Sequence, residues 1–201
     1  MLHLSMPDYL RDLFTRSRLE FSLAVIVIAA ELALGVPHGI ALGVVLSLLM
    51  LIYRASHPQG AVLGQLPGEE AYRDLRLHPD ALTFPRLMIW RPGGDLFFAS
   101  VGHLGEQLKV ALATSHPPVK HVLLDAEAVN RIDTSACDAL LNSIKELQSQ
   151  GITFAFARVR DEIRELMRLG GIEAVVGSAN FHERVTDGVR AWQQRAEYGT
   201  T

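Results

Sequence analysis

The first quarter of the chain is an almost unbroken stretch of apolar positions. No Lys or Arg stands between Arg18 and Arg54, and two apolar runs, residues 21–30 and 40–52, are separated by a segment with two glycines and a proline. Because glycine relaxes the backbone and proline ends a helix, this segment is typical of a turn. The pattern predicts two short helices joined as a hairpin.

The length of the runs limits how such a hairpin can be placed. A helix of about 15 residues extends about 22 Å at about 1.5 Å per residue. The hydrocarbon core of a bilayer is about 30 Å thick, so neither run is long enough to cross it alone. We therefore expect the two helices to cross a membrane as a pair that packs among other helices.

The charged residues around the hairpin predict its orientation. Arg11, Arg16 and Arg18 precede it, and Arg54 follows it. Since basic residues collect on the cytoplasmic side of a membrane, both ends of the hairpin are expected in the cytoplasm. Glu31 lies near the middle of the first helix. This membrane-embedded polar residue is expected to face protein or water, because its carboxylate would be costly against lipid.

A small residue recurs at every fourth position at the start of the second helix, which gives a smooth face for close helix contact. These residues are Gly35, Gly39, Gly43 and Ser47. A signal peptide is also a basic segment followed by an apolar run, but here a second apolar run follows at once. A buried hairpin of a soluble protein is the stronger alternative, because runs of about 10–14 apolar residues are often core helices.

Glycines and prolines interrupt the mixed polar stretch that follows the hairpin, which predicts a linker with at most one short helix. The domain organisation predicted from these patterns has four parts. A cytoplasmic N-terminal segment at residues 1–18 precedes a transmembrane helical hairpin at 19–54. A linker at 55–83 leads into an α/β domain at 84–197.

The last part of the chain alternates regularly between helix and strand. Short apolar runs predict strands at residues 87–90, 96–98, 119–125, 152–157 and 175–176, the first two as an antiparallel pair around a turn. Apolar residues at helical spacing predict helices around residues 104–112, 137–147, 163–167 and 185–192. This order of elements predicts an α/β fold with a mixed sheet and helices packed on it.

Composition excludes several function classes. The 201 residues carry a formal net charge of -3 without a block of Lys or Arg, which gives no reason to expect a nucleic-acid partner. A single cysteine excludes a disulfide framework and a cysteine-rich zinc module. The histidines show no metal-ligand spacing, and neither a glycine-rich phosphate loop nor a nucleophile elbow is present. We expect no catalytic residues, no metal and no cofactor.

The most informative local feature is the sequence Asp133-Thr134-Ser135, between a predicted strand and the strongest predicted helix. Asp133 or Thr134 can cap the helix by accepting hydrogen bonds from the free N–H groups of its first turn. A phosphorylated hydroxyl at the same place would also be favoured by the helix dipole. The spacing therefore supports two interpretations, a structural cap and a phosphoacceptor.

Five segments resemble, in order, motifs at the C-terminal end of the SulP family of anion transporters, which carry a cytoplasmic STAS domain. They are residues 39–47 (GIALGVVLS) for the last membrane helix, 54–68 for the exit segment, 91–99 for a strand pair, and 122–129 (VLLDAEAV) and 132–135 (IDTS) for STAS elements. Together they cover most of the chain from Glu20 onward.

This resemblance implies a short transmembrane hairpin followed by a cytoplasmic STAS-type domain that regulates and assembles a secondary anion transporter, with sulfate as a typical substrate. The family's substrate site lies in a larger membrane core that this sequence lacks, so the chain is not expected to transport an anion alone. The implied partners are the membrane and the remainder of the transporter membrane domain. A second copy in a homodimer, a regulatory protein and a nucleotide are further options. The implied location is the bacterial inner membrane.

A second function follows from the same resemblance. Soluble STAS relatives that antagonise anti-sigma factors are phosphorylated on the second hydroxyl residue of this motif, which corresponds to Ser135, with Thr134 before it. The glycine that usually follows is Ala136 here. The alternative function is therefore a membrane-tethered STAS phosphoswitch that docks a partner protein.

Overall fold

The computed structural model describes residues 18–197. The chain divides after Arg54 into two compact units, a helical hairpin and an α/β domain. Of the N-terminal segment predicted at residues 1–18, all but Arg18 lies outside the described residues.

The hairpin consists of helix α1, Arg18–Leu34, and helix α2, Val36–Ser56. Gly35 alone joins them, with a φ of +87° that glycine adopts without strain. Helix α2 has 21 residues and is long and apolar enough, by length and composition, to cross a membrane. The predicted length of about 15 residues is wrong for this helix, because Pro37 lies in its first turn, where proline is tolerated.

The small residues of α2 let the two helices approach closely, as their spacing predicts. Gly39 is buried, and a Cβ atom at this position would lie 2.0 Å from Cγ of Glu31 in α1. A Cβ atom on Gly43 would meet Val27 at 3.4 Å. Glu31 is consequently half-buried against the neighbouring helix.

The α/β domain is built on a six-stranded mixed sheet in the order β2-β1-β3-β4-β5-β6. The strands are β1 Ala61–Gln65, β2 Tyr72–Asp74, β3 Leu87–Arg91, β4 His121–Asp125, β5 Thr153–Ala157 and β6 Phe181–His182. Strand β1 is antiparallel to both β2 and β3, whereas β3 to β6 are parallel. All five residues of the central strand β4 are buried.

Five helices belong to this domain, and four of them confirm the helices predicted from apolar periodicity. The helices are α3 Val101–Thr114, α4 Thr134–Ser149, α5 Asp161–Leu169, α6 Ile172–Val176 and α7 Val185–Glu197. Helix α6 replaces the strand predicted at residues 175–176, so that prediction is wrong. Adjacent valines favour a strand, but Gly171 and Gly177, both with positive φ, confine these five residues to a short helix.

Two strands come from the segment that was predicted to be a linker. Strands β1 and β2 both lie within residues 55–83, and β1 pairs with β3, with Leu63 opposite Ile89. The prediction of a linker is wrong for these residues. The strands are short and lie among glycines and prolines, so the segment lacks the bounded alternating run by which a strand is recognised.

Strand β3 therefore has a different antiparallel partner from the predicted one. The segment after the turn forms no strand, and Leu96 instead makes a single parallel bridge to Ile132. The predicted strand pair fails because Ser100 folds this segment into a turn. The Ser100 hydroxyl donates to the carbonyl of Asp95 at 2.9 Å and accepts from the N–H of Phe97 at 3.1 Å.

The sheet has a hydrophobic core on each face. Helices α3 to α6 cover one face, where Val122, Ile144 and Phe156 are fully buried. Helix α7 covers the other face, where Leu123 belongs to the same core as Trp192. Since successive residues of a strand point to opposite faces, the neighbours Val122 and Leu123 contribute to different cores.

Candidate functional site

Asp133 caps helix α4 and also ties it to the loop that follows β3. Its Oδ1 accepts a hydrogen bond from the N–H of Ala136 at 2.7 Å, and its Oδ2 accepts one from the N–H of Phe98 at 2.9 Å. Its backbone is extended, as is typical of an N-cap residue. One carboxylate thus satisfies two backbone donors on separate segments.

The two loops at this site are joined along their backbones. The N–H of Leu96 donates to the carbonyl of Arg131 at 3.0 Å, and the N–H of Asp133 donates to the carbonyl of Leu96 at 3.1 Å. Asp95 Oδ1 accepts from the N–H groups of Asn130 and Arg131 at 2.9 and 3.1 Å. These bonds fix the position at which α4 begins.

The two hydroxyl residues of the predicted motif follow this cap. Thr134 and Ser135 are the first residues of α4, and both are exposed. Phe98, which bonds to the cap, is also exposed, by 74%. Ala136 is fully buried, and its methyl group packs into the core. The use of Asp133, Thr134 and Ser135 as a phosphoacceptor motif stays a prediction.

A buried carboxylate held by two arginines lies at the other end of the loop after β4. Asp125, the last residue of β4, is 0% exposed. Arg91 Nε donates to its Oδ2 at 2.7 Å, and Arg158 Nε donates to its Oδ1 at 2.9 Å. Glu127 joins the cluster, with oxygens 3.2 Å from Arg91 and 2.8 Å from Arg158.

The topology of the sheet brings these four residues together. Arg91 ends β3, and Arg158 directly follows β5, so both emerge beside the end of β4. Arg158 has a φ of 57°, a left-handed conformation that costs energy for a residue with a Cβ. Burial opposes its charge, but the hydrogen bond and charge of Asp125 outweigh this effect and raise the pKa of Arg158.

Periodicity did not single out this cluster as a site. Arg91 and Asp125 lie in the motif segments 91–99 and 122–129, whereas Arg158 lies outside the segments that carry the resemblance. The available signal was an acidic residue that ends an otherwise apolar strand, since a buried charge requires a partner. The identity of that partner depended on which strands are neighbours, and the predicted strand order did not include β1 or β2.

Cys137 is a core residue, as its place on the apolar face of α4 predicts. Its side chain is 5% exposed, and its Sγ lies 3.8 Å from the carbonyl of Leu166. Burial raises the pKa of the Cys137 thiol, which disfavours the reactive thiolate. Within residues 18–197, no three His, Cys, Asp or Glu side chains are grouped as metal ligands would be.

One family model and several curated proteins are similar to this chain. The family model described as the STAS domain matches residues 78–188. A Mycobacterium tuberculosis protein named "Probable sulfate transporter" is 33% identical over 178 residues, which cover 89% of this chain and 32% of that protein. "Probable sulfate transporter 4.2" of Arabidopsis thaliana is 31% identical over 180 residues, which cover 85% of this chain and 27% of that protein. The chain spans about a third of the length of these curated relatives, whose names are those of transporters and not of enzymes.

Solved structures show the same fold at low sequence identity. The murine Solute Carrier 26 family member A9 anion transporter, in its inward-facing state, matches with a TM-score of 0.78 at 19% identity. This match covers 95% of this chain and 31% of the transporter. A sulfate transporter family protein from Wolinella succinogenes matches with a TM-score of 0.51 at 17% identity, covering 62% of this chain and 99% of that one. The predicted mixed sheet with packed helices and the resemblance to SulP-type transporters are both confirmed.

Proposed function

The chain belongs to the STAS domain family, and from this premise we propose that it is the C-terminal membrane hairpin and cytoplasmic STAS domain of a SulP-type anion transporter. The α/β domain regulates the transporter and assembles it with its partners, and sulfate is the proposed substrate. The chain takes part in transport only together with the remaining membrane domain. The proposed location is a bacterial inner membrane, with the α/β domain in the cytoplasm.

The observation that carries this proposal is the extent of the similarity. The 178 residues aligned with the mycobacterial relative exceed the whole α/β unit, Ala55–Thr201, so the alignment includes part of the hairpin unit. A relative that shared only a mobile soluble module would align over that module alone. The combination of hairpin and STAS domain is therefore what the chain has in common with proteins named as sulfate transporters.

The exposed surface of the hairpin supports its place in a membrane. Large apolar side chains on both helices are exposed, among them Leu32 by 85%, Leu34 by 63% and Leu51 by 64%. Water disfavours apolar surface in proportion to its area, whereas the hydrocarbon of a bilayer does not. The backbone of both helices is hydrogen-bonded internally, which a lipid environment requires.

Membrane fractionation tests this part of the proposal. The full chain is compared with a fragment of residues 55–201, which retains β1 and hence the whole sheet. We expect carbonate to leave the full chain in the membrane pellet and detergent to release it, while the fragment stays in the supernatant. Release of the full chain by carbonate would contradict a membrane-spanning hairpin and favour a buried hairpin of a soluble protein.

Participation in transport is tested with a chimera. The aligned segment of the mycobacterial relative is replaced by this chain, and uptake of labelled sulfate is compared with that of the intact relative and of the relative truncated before this segment. We expect uptake above that of the truncated protein. A chimera that reaches the membrane in equal amounts, yet takes up no more sulfate than the truncated protein, would contradict the proposal.

A second candidate function is favoured by one observation, the exposure of Ser135 at the start of a 16-residue helix. A phosphate there would be stabilised by the helix dipole and could control the docking of a partner protein. Mass spectrometry of the chain isolated from its own cells tests this alternative. We expect phosphorylation at Ser135 if the chain is a phosphoswitch, and phosphorylation that is absent or confined to other residues would contradict it.

A further inference from the structure

A cavity of about 390 Å³ lies where β3 and β5 end. Strand β2 forms one side of it, and the residues that begin α7 form another. Its lining shares no residue with the cavity beside Asp133. Four arginines line it, namely Arg73, Arg91, Arg158 and Arg184. We call it the arginine cavity, and its volume is in the range of sites for small ligands.

Two of the four arginines are neutralised within the protein. Asp125 and Glu127 hold Arg91 and Arg158 through the ion pairs described above. The side chains of Arg91 and Arg158 nevertheless remain 23% and 31% exposed, so part of each guanidinium faces the cavity. These ion pairs hold the two guanidinium groups in place before a ligand binds. The binding of a ligand therefore costs less side-chain entropy.

The other two arginines have no acidic partner in the part of the chain that the structure describes. Arg73 on β2 and Arg184 before α7 are exposed, and neither side chain makes an ion pair there. Glu70, the remaining carboxylate of the lining, pairs with Arg190 at 2.9 Å. The cavity thus has a surplus of positive charge, contributed by two groups on separate elements.

The uncharged part of the lining indicates which kind of anion fits. Tyr72 is the aromatic residue of the lining, and it is 7% exposed. No broad aromatic face is therefore offered by the lining for a flat ring to stack on. Recognition would depend on charge and on guanidinium geometry, which matches phosphate and carboxylate oxygens in pairs.

We propose that the arginine cavity binds a diphosphate group, with Arg73 and Arg184 as its principal contacts. Two unpaired guanidinium groups on separate elements of one cavity can each bind one phosphate of a diphosphate. Arg91 and Arg158 supply further donors, and Glu127 competes with the ligand for them. The diphosphate can belong to a soluble compound, or the same phosphate chemistry can be presented by a lipid headgroup.

Inorganic pyrophosphate is the probe for this site. Its affinity for the full chain in nanodiscs of zwitterionic lipid is measured by calorimetry at fixed salt, without divalent cations. We expect the double variant Arg73→Ala/Arg184→Ala to weaken binding at least about tenfold. We expect Glu127→Gln to tighten it about threefold, because this change frees donors of Arg91 and Arg158 and removes a repulsive charge.

A matched control separates this site from general attraction to positive charge. Arg168 pairs with Glu165 at 2.6 Å on an exposed helix face outside the cavity, so Arg168→Ala should leave the affinity unchanged. Repeating the titration in nanodiscs that contain diacylglycerol pyrophosphate, a lipid with a diphosphate headgroup, identifies the source of the diphosphate. Competition by this lipid supports a headgroup ligand, and unchanged affinity supports a soluble one.

Three results would overturn the proposal. They are no binding of pyrophosphate up to about 1 mM, equal affinity in the double variant and the parent chain, and a loss in Arg168→Ala as large as in the double variant. Because Arg73 and Arg184 are exposed and form no ion pair in the described chain, their loss should leave the fold intact. A circular dichroism spectrum identical to that of the parent chain verifies this.

Discussion

The helical hairpin and the α/β domain are both rich in large apolar side chains, but they place them in opposite environments. In the domain, Val122, Ile144 and Phe156 are 0% exposed. In the hairpin, Leu32 is 85% exposed, and Gly39 is the single buried residue among those whose burial is described. The domain encloses two cores of apolar side chains, whereas the hairpin leaves most of its apolar surface for another phase or another protein to cover.

This difference shows that the amount of hydrophobicity does not by itself reveal how a segment is stabilised. Strand β4 and helix α2 both carry many apolar residues. Strand β4 has a strand on each side and a core on each face, whereas within residues 18–197 helix α2 packs against α1 and leaves most of its side chains exposed. Changes in the core should therefore unfold the domain, and equivalent changes in the hairpin should not.

Truncation of a core side chain should have the largest effect. Phe156 is fully buried and stacks on Phe181, with ring centroids 5.0 Å apart. Phe156→Ala should lower the free energy of unfolding of the domain by about 4 kcal/mol, because it leaves a cavity. Urea denaturation of residues 55–201 measures this. In the full chain, Leu48→Ala in the hairpin should leave the free energy of unfolding of the domain unchanged. A loss equal to that of Phe156→Ala would contradict the contrast between the domain and the hairpin.

Removal of the buried carboxylate should come next. Asp125→Ala leaves Arg91 and Arg158 without their buried partner and should destabilise the domain by about 3 kcal/mol. Glu127 is half-exposed, so Glu127→Gln should cost less than about 1 kcal/mol. Urea midpoints of the two variants give this ranking. Equal losses of unfolding free energy in the two variants would contradict the expectation that the buried carboxylate contributes more stability than the exposed one.

Lowering the pH should destabilise the α/β domain, because it favours protonation of a buried histidine. His121 is 2% exposed, stacks on Trp192 and accepts or donates a 2.7 Å hydrogen bond with Thr153 Oγ1. Burial, followed by the charges of Arg195 and His182, lowers the pKa of His121 from 6.5 to about 4.

The sign of this effect follows from the lowered pKa. The unfolded chain takes up a proton near pH 6.5 and the folded chain only near pH 4, so stability is present above pH 6.5 and is lost as the pH falls towards 4. We expect a loss of about 2 kcal/mol between pH 7 and pH 5, measured by urea denaturation. The variant His121→Phe should show a smaller slope, and an unchanged slope would contradict this assignment.

Loss of the helix cap should have the smallest of these effects. Asp133→Ala removes the bonds to Ala136 and Phe98 and should cost about 1 kcal/mol. Asp133→Asn should recover most of that loss, because an amide oxygen can also accept from the helix. Ser135→Ala, on an exposed side chain, should change the urea midpoint little. A loss at Ser135 as large as at Asp133 would contradict the assignment of the cap.

Much of the fold could be predicted from the sequence because periodicity carries the necessary information. The helices around Leu104, Ile144, Ile163 and Val189 show apolar spacing along one face, and the buried strands contain uninterrupted apolar runs at residues 122–124 and 154–157. The start of α4 was also recognisable, since Asp133-Thr134-Ser135 has the chemistry of a cap. These features depend on residues close together in the chain.

The features that sequence reasoning missed depend on contacts between distant residues. Strands β1 and β2 are short and surrounded by glycines and prolines, and they are strands because β3 offers β1 an edge to pair with. Val175 and Val176 would suit a strand, but flanking glycines and packing within the core make them the end of a helix. Local propensity is weak, and tertiary context overrides it in both cases.

The apolar hairpin, the α/β domain with its capped central helix and the motifs of a known transporter family can all be read from the amino-acid sequence. That Arg91 and Arg158 share Asp125, and that Arg73 and Arg184 face the same cavity, depends on the folded arrangement of the strands. The physical reason is that a charge or a hydrogen-bond donor acts over a few ångströms. Arg91 and Arg158 lie 34 and 33 positions from Asp125 in the chain, and they reach that distance only through the order of the strands.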